Sequence, residues 1–230
     1  MINDKKVIAV TLARGGSKRV PNKNIEMIVG KTLIEYTIEE VKKSKYVDYY
    51  IISTDSDAIA NAAKKNMCNV IYRKDVDDTQ TSAEGLIKTL MVYQFDENEI
   101  SDDTIIVEIM PTNPLKTVED IDRTIEKIFD GDSSVSVVRI WDHHPSRVKR
   151  IKNGYLEDFW PEVPESRRQD LDPPAYVRNG SIYVMWYVNL LINETRLCGK
   201  IVPYIMPEDR TINIDEPIDL ELAKLIISRK

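Results

Sequence analysis

The sequence predicts an α/β sandwich built on a mostly parallel sheet, and three observations carry that expectation. Short apolar runs rich in β-branched residues recur at 7–13, 49–53, 69–72, 104–109 and 133–141. Amphipathic stretches with three- and four-residue apolar spacing separate them, the alternation that builds parallel strands joined by crossover helices. Several runs are apolar on consecutive residues, as strands covered on both faces must be. With 230 residues, 42% hydrophobic and 30% charged, the chain suits one sizeable core in a single domain spanning 1–230.

Composition narrows the partners. No apolar run is long enough to cross a bilayer, and the opening MINDKKVIAV lacks a small-residue cleavage pattern, so the expectation is a cytoplasmic protein with no membrane partner. A net charge of −6 argues against a nucleic-acid partner, because phosphate-backbone binding selects basic domains. Cys68 and Cys198 have no metal-ligand spacing and read as buried inert thiols.

The first strand, VIAVTLA at 7–13, runs directly into Arg14-Gly15-Gly16-Ser17-Lys18-Arg19 and, past Pro21, Lys23-Asn24. Residues 1–31 carry a balance of +5 while the remainder carries −11. Positive charge is therefore concentrated at the carboxyl end of that strand, where open α/β sheets bind ligands. Adjacent glycines can take positive φ and carry no Cβ, which would let successive backbone N–H groups converge on a phosphate. The spacing matches neither the Walker pattern nor the dinucleotide fingerprint. A solvated basic turn is the plain alternative, and the density of cations favours the ligand.

After a turn at Gly30, a helix to about Lys43 buries Leu33, Ile34, Thr37, Ile38 and Val41. Tyr49–Ser53 is the second strand, and Asp55 and Asp57 behind it read as caps for the helix at 58–65 ahead of metal or ribose ligands. A third strand at 69–72 ends at Arg73. An acidic turn at 75–78 and the run Thr79-Gln80-Thr81-Ser82 then open a helix from 82 to 95, whose hydroxyl-rich start can cap itself or meet a polar ligand edge. The fourth strand, 104–109, stops at a tract with prolines at 111 and 114, and Thr117 with Asp120 starts a helix at 118–129 that Gly131 closes.

The fifth strand, 133–141, is followed by His143-His144. Adjacent histidines on extended chain point opposite ways, so a hydrogen-bonding role is expected over metal binding. From 151 to 174, Asn153-Gly154 reads as a hairpin turn, and prolines at 161, 164, 173 and 174 leave a surface loop on composition alone. Arg178-Asn179-Gly180 reads as a turn and 181–186 as a strand carrying Tyr183 inward. A short helix at 188–193, an edge strand at 201–206 and a short strand at 211–214 follow. The last helix, Pro217 to Ile227, would bury Leu220, Leu222, Ala223, Leu225 and Ile226. Alternation along the 211–214 strand puts Asn213 and Asp215 on one face, within reach of one hard cation; Asp215-Glu216 before Pro217 is equally a good helix start.

The string LARGGSKRVPNKN at 12–24 resembles the amino-terminal signature of the CMP-sialic acid synthetases, or acylneuraminate cytidylyltransferases. The likeness runs over nearly the whole chain. Residues 110–115 are similar to a Gln-Pro-Thr-Ser-Pro-Leu element, His143-His144-Pro145 to a His-His-Pro tract, and 179–183 to Asn-Gly-Ala-Ile-Tyr. The resemblance implies a Rossmann-like three-layer fold of the nucleotide-diphospho-sugar transferase type. It also implies a small projecting arm, 142–175, that packs on a second copy in a homodimer.

The reaction it implies joins CTP to a nine-carbon α-keto acid sugar and releases pyrophosphate. Leu12, Arg14, Gly15, Gly16, Ser17, Lys23, Asn24, Arg73 and Ser82 would bind CTP. Met110, Arg147, Arg168, Gln169, Asn179 and Tyr183 would bind the sugar, with Arg147, Arg168 and Gln169 reaching across the dimer. Asp215 with Asn213 would hold Mg²⁺, or Mn²⁺ in its place, and Arg14, Lys23 and Asp215 are the implied catalytic residues. Two positions depart from the family. Met110 stands where the sialic acid enzymes carry a sugar-contacting glutamine, and Asn213 stands at the first of two aspartates. Sialic, legionaminic, pseudaminic and Kdo-type sugars all stay open, as does a non-catalytic nucleotide-binding protein.

Overall fold

The computed structural model describes residues 1–17, 19–73, 80–95, 99–161 and 167–229. Lys18, the acidic turn at 75–78, Thr79 and Pro164 lie outside them. The chain begins with β1 (Val7–Leu12), a small hairpin of β2 (Met27–Ile28) and β3 (Lys31–Thr32), and α1 (Leu33–Lys42). There follow β4 (Tyr49–Thr54), α2 (Asp57–Lys65), β5 (Asn69–Tyr72), α3 (Ser82–Phe95), β6 (Ile105–Ile109), α4 (Val118–Glu126) and β7 (Ser133–Ile140). A second hairpin, β8 (Lys149–Lys152) and β9 (Tyr155–Asp158), precedes β10 (Ala175–Trp186), α5 (Tyr187–Asn193), β11 (Ile201–Ile205) and α6 (Pro217–Ile227).

Among the described residues, seven strands form one sheet in the order β11-β7-β10-β6-β1-β4-β5. β1 runs parallel to β4 and β6, β4 to β5, and β7 to β11, while β10 lies antiparallel between β6 and β7. The chain moves outward from β1 to β4 and β5, then returns to β6 on the other side of β1. That reversal opens a crevice at the carboxyl ends of β1 and β6.

Helices cover both faces. Ile34, Ile38 and Val41 of α1, Ile59 and Ala63 of α2, and Ile121 and Ile125 of α4 pack on one side. Leu86 and Leu90 of α3 and Leu190 of α5 pack on the other. The α1 stripe is the one its spacing predicts, and Thr32 with Glu35 closes its amino end as a capping box. Thr117 and Asp120 cap α4 in the same way. Among the described residues no helix is long and apolar enough to cross a membrane.

Four expectations need correction. Residues 178–180 are not a turn: β10 runs through them, Gly180 takes φ +63°, and the register against β7 shifts between Arg178 and Tyr183, a bulge where the sequence shows only turn chemistry. Residues 211–214 form no strand; Ile214 N–H instead donates to Thr112 O at 2.8 Å. Helix α4 stops at Glu126 and tightens into a 3-10 turn over 127–130, and Gly131 is extended, its missing Cβ making room for the Lys200 carbonyl. In α6, Leu222 and Leu225 are exposed. This helix packs with Leu220 and Ala223 against Val20, Ile28, Leu33 and Ile214, a small satellite core that covers only a narrow stripe.

Candidate active site

A cavity of about 490 Å³ opens at the carboxyl ends of β1 and β6. Leu12, Arg14, Ser17, Lys23, Asn24, Met110, Asn213 and Asp215 line it together, and Arg19, Val20, Pro111, Thr112 and Gly180 complete its wall. β1 supplies the loop from Arg14 to Ser17, and a 3-10 turn at Lys23–Ile25, entered through left-handed Asn22, directs Lys23 and Asn24 back toward it.

Two ends of the chain meet here. The Lys23 ammonium donates to Ile214 O at 2.5 Å and to Asp215 Oδ1 at 3.1 Å. Lys23 is mostly covered while half of the Asp215 side chain faces solvent. Asn213 Nδ2 donates to Asp215 Oδ2 at 2.5 Å, and Asn213 Oδ1 is buried without a partner among the described residues. The two side chains therefore converge although no strand underlies them. The competing role of helix start falls to Glu216 and Asp219, which form the capping box of α6 and leave the Asp215 carboxylate to the cavity. Asn24 is buried, donates to Arg14 O at 3.0 Å, and has no partner for Oδ1 among the described residues.

The glycine loop is built differently from the expectation. Neither Gly15 nor Gly16 has positive φ, and neither is among the residues lining the cavity. The Gly15 N–H donates to Asp55 Oδ1 at 2.7 Å. A Cβ at Gly15 would sit 2.9 Å from Ser56 Cβ, so this glycine permits close approach to the end of β4. Asp55 thus ties the loop down and caps no helix.

Arg73, Ser82 and Tyr183 gather around a different centre, Glu108 of β6, and do not line the cavity. Glu108 is fully buried, and its Oε2 accepts from Arg196 Nη1 at 2.5 Å. Burial pushes the Glu108 carboxyl upward, opposed by Arg196 and by the charge of Arg73. Arg73 is held by Gln80 Oε1 and the Ser53 carbonyl; burial lowers its affinity for the proton against the pull of Asp55 and Glu108. The Arg196 guanidinium lies 3.9 Å from the centre of the Tyr183 ring.

Residues 8–154 match the family model described as cytidylyltransferase. The chain belongs to that family. It is 30% identical to the CMP-N,N'-diacetyllegionaminic acid synthase of Legionella pneumophila over 96% of both chains. It is 26% identical to a pseudaminic acid cytidylyltransferase of Campylobacter jejuni over 96% of both. A solved CMP:2-keto-3-deoxy-manno-octonic acid synthetase complexed with CTP has the same fold, with a TM-score of 0.70 and 19% identity over 98% of this chain and 99% of that one.

In this cytidylyltransferase Asn179 is turned inward by the bulge. It accepts from Ser136 Oγ at 2.7 Å and donates to Met206 Sδ at 3.0 Å, so Gly180 rather than Asn179 borders the cavity. Arg147, Arg168 and Gln169 lie outside this chain's cavity. Arg168 stands 3.5 Å from Asp142 and 5.3 Å from the Trp141 ring. His144 is buried, bonded to Ser146 and to the Pro173 carbonyl, and serves as a pin between the two ends of the arm. No cluster of three or more His, Cys, Asp or Glu suited to a metal occurs among the described residues.

Sequence reading missed three groups that shape the site. Lys116 is 2% exposed and donates to Thr37 Oγ1, Met110 O and Asn113 O at 2.7, 2.9 and 2.6 Å, which fixes the 110–114 wall. Buried Asp120 takes Arg210 in a two-pronged bond at 2.7 and 3.0 Å, anchoring the segment that leads to Asn213. The third is the Glu108–Arg196 pair. A carboxylate inside the apolar run IIVEI was a visible signal; no local pattern marks the other two.

Proposed function

We propose that this cytidylyltransferase transfers the CMP group of CTP to the anomeric hydroxyl of a nine-carbon α-keto acid sugar of the sialic, legionaminic or pseudaminic type. The new bond joins the anomeric oxygen to the α-phosphorus, the bond from that phosphorus to the oxygen bridging to the β-phosphorus breaks, and the hydroxyl proton passes to solvent as pyrophosphate leaves. The observation that carries this reading is the 3.1 Å approach of Lys23 to Asp215 in a cavity that also holds Arg14. Fixed cations beside an oxygen-rich edge suit a transition state whose charge spreads over phosphoryl oxygens. The relatives' named products, CMP-legionaminic and related acids, supply the sugar class.

Within this reading Arg14, Ser17 and Lys23 hold the triphosphate, Asn24 keeps the Arg14 backbone in place, and Met110 meets the sugar. Asp215, with the Asn213 amide bonded to it and Asn213 Oδ1 buried without a partner among the described residues, would offer the hard oxygens that suit Mg²⁺, which takes one or two protein oxygens and shares the rest with phosphates. When bound, such an ion neutralises phosphate charge and acidifies the attacking hydroxyl.

The arm supports a homodimer. Ile151, Tyr155, Leu156, Phe159 and Trp160 are all more than half exposed on or beside the β8–β9 hairpin, an apolar patch of the kind that marks a protein interface. Replacing Trp160 by Asp is expected to convert a dimer to a monomer in analytical ultracentrifugation; a monomeric parent protein would remove the dimer from the reading.

The function itself is tested with a panel of α-keto acid sugars, CTP and Mg²⁺, following pyrophosphate release. Turnover with at least one nine-carbon member is expected. CTP binding by calorimetry without turnover on any sugar would favour a non-catalytic nucleotide-binding protein, and turnover confined to the eight-carbon member would reassign the substrate class.

A further inference from the structure

Strand β6 places a carboxylate where its neighbours are apolar. Glu108 sits opposite Val10 of β1 and Tyr183 of β10, and strand alternation puts it on the face of Met110, two residues on. Leu12 and Met110, both packed against that face of the core, line the cavity. Glu108 therefore shares a sheet face with the Leu12–Met110 wall and stands two residues short of it along the strands. Its side chain is fully buried, yet Oε1 has no hydrogen-bond partner among the described residues, and neither has the buried Arg73 Nε. An unfilled buried acceptor is costly. The Arg196 guanidinium beside it, 23% exposed, spends Nη1 on Glu108 Oε2 and stacks on Tyr183, leaving its other N–H groups directed away from that bond.

An open acceptor next to a planar set of donors matches a secondary amide, whose N–H and carbonyl present one of each. Met110, the next side chain on that face and part of the cavity wall, is unbranched and repacks easily. We propose that Glu108 and Arg196 form a polar subsite of the sugar cavity that takes an acylamino substituent, its N–H donating to Glu108 Oε1 and its carbonyl accepting from Arg196. This rests on the sugar-activating reading above and adds to it the group by which the sugar is chosen.

The test compares the parent protein with Glu108→Leu and Arg196→Met. Substrates are an acylamino nine-carbon acid and its analogue bearing hydroxyl in place of the acylamino groups; CTP binding is measured separately by calorimetry. Expected is a rise of about 10- to 100-fold in the KM of the acylamino sugar in both variants, with kcat held to within a few-fold and CTP affinity unchanged. The hydroxyl analogue should change less. Glu108→Gln, which keeps an acceptor oxygen and the side-chain shape, should restore most of the affinity and guards against a folding artefact. Equal KM values in folded variants overturn the subsite alone. Weakened CTP binding with an unchanged sugar KM also overturns it, assigning the pair to the base. No turnover by the parent protein on either sugar removes the sugar-activating reading and the subsite with it.

Discussion

Lys23→Ala is expected to lower kcat by roughly 10²- to 10³-fold, the usual cost of deleting one preorganised group aimed at developing charge. Lys23 bridges the loop after β1 to the carboxy-terminal segment through Ile214 O and Asp215, beside an exposed Arg19–Glu216 pair. Its ammonium is largely shielded from water by the cavity wall, which strengthens its field on any phosphate placed there. The structural cost is small by comparison. One exposed ion-pair partner and one carbonyl lose a donor, about 1 kcal/mol, so circular dichroism and the melting transition should stay close to the parent. Steady-state turnover with CTP and the sugar found by the panel provides the check. A folded variant that works at the parent's rate would show that Lys23 organises the cavity without touching the reaction.

Lys116→Met should reveal a buried charge through the pH dependence of stability. Burial pushes the Lys116 ammonium from its ordinary value of 10.5 down to about 7, against the pull of Glu40 in α1 and Asp120 in α4. Below about 7 both folded and unfolded chains carry this proton, and the penalty of the buried charge is fully present. Between about 7 and 10.5 the unfolded chain holds more proton than the folded one, so stability rises with pH. Methionine cannot titrate. The gap between parent and variant should therefore widen from pH 7 to pH 9 in thermal unfolding, and a constant gap would mean that Lys116 stays protonated throughout. At pH 7 the variant should be less stable by about 1–3 kcal/mol, because the Thr37 hydroxyl and the Met110 and Asn113 carbonyls lose their donor in a dry interior. The sugar KM should rise as well, since those carbonyls set the cavity wall.

Much of the framework was legible in the residues because its causes are local. The apolar runs of β1, β4 and β6, the α1 stripe, the capping boxes at Thr32 and Thr117, and the Asn153-Gly154 hairpin turn each follow from side chains within a few positions of one another. The concentration of cations after β1 likewise located the cavity, and six of the residues expected to bind substrate line it together with Asn213 and Asp215, the two expected to hold a metal.

What the sequence determined by itself was the periodicity: which stretches are strands or helices, and which end of the first strand is cationic. Tertiary structure alone decided where the polar side chains in and around the site spend their hydrogen bonds. Asp55 holds the Gly15 amide, Asn179 turns to Ser136, and Arg73, Ser82 and Tyr183 surround Glu108. Each depends on groups dozens of positions apart, as the 191-residue separation of Lys23 and Ile214 illustrates. Buried polar groups must find partners wherever the packing provides them, and no local pattern carries that information.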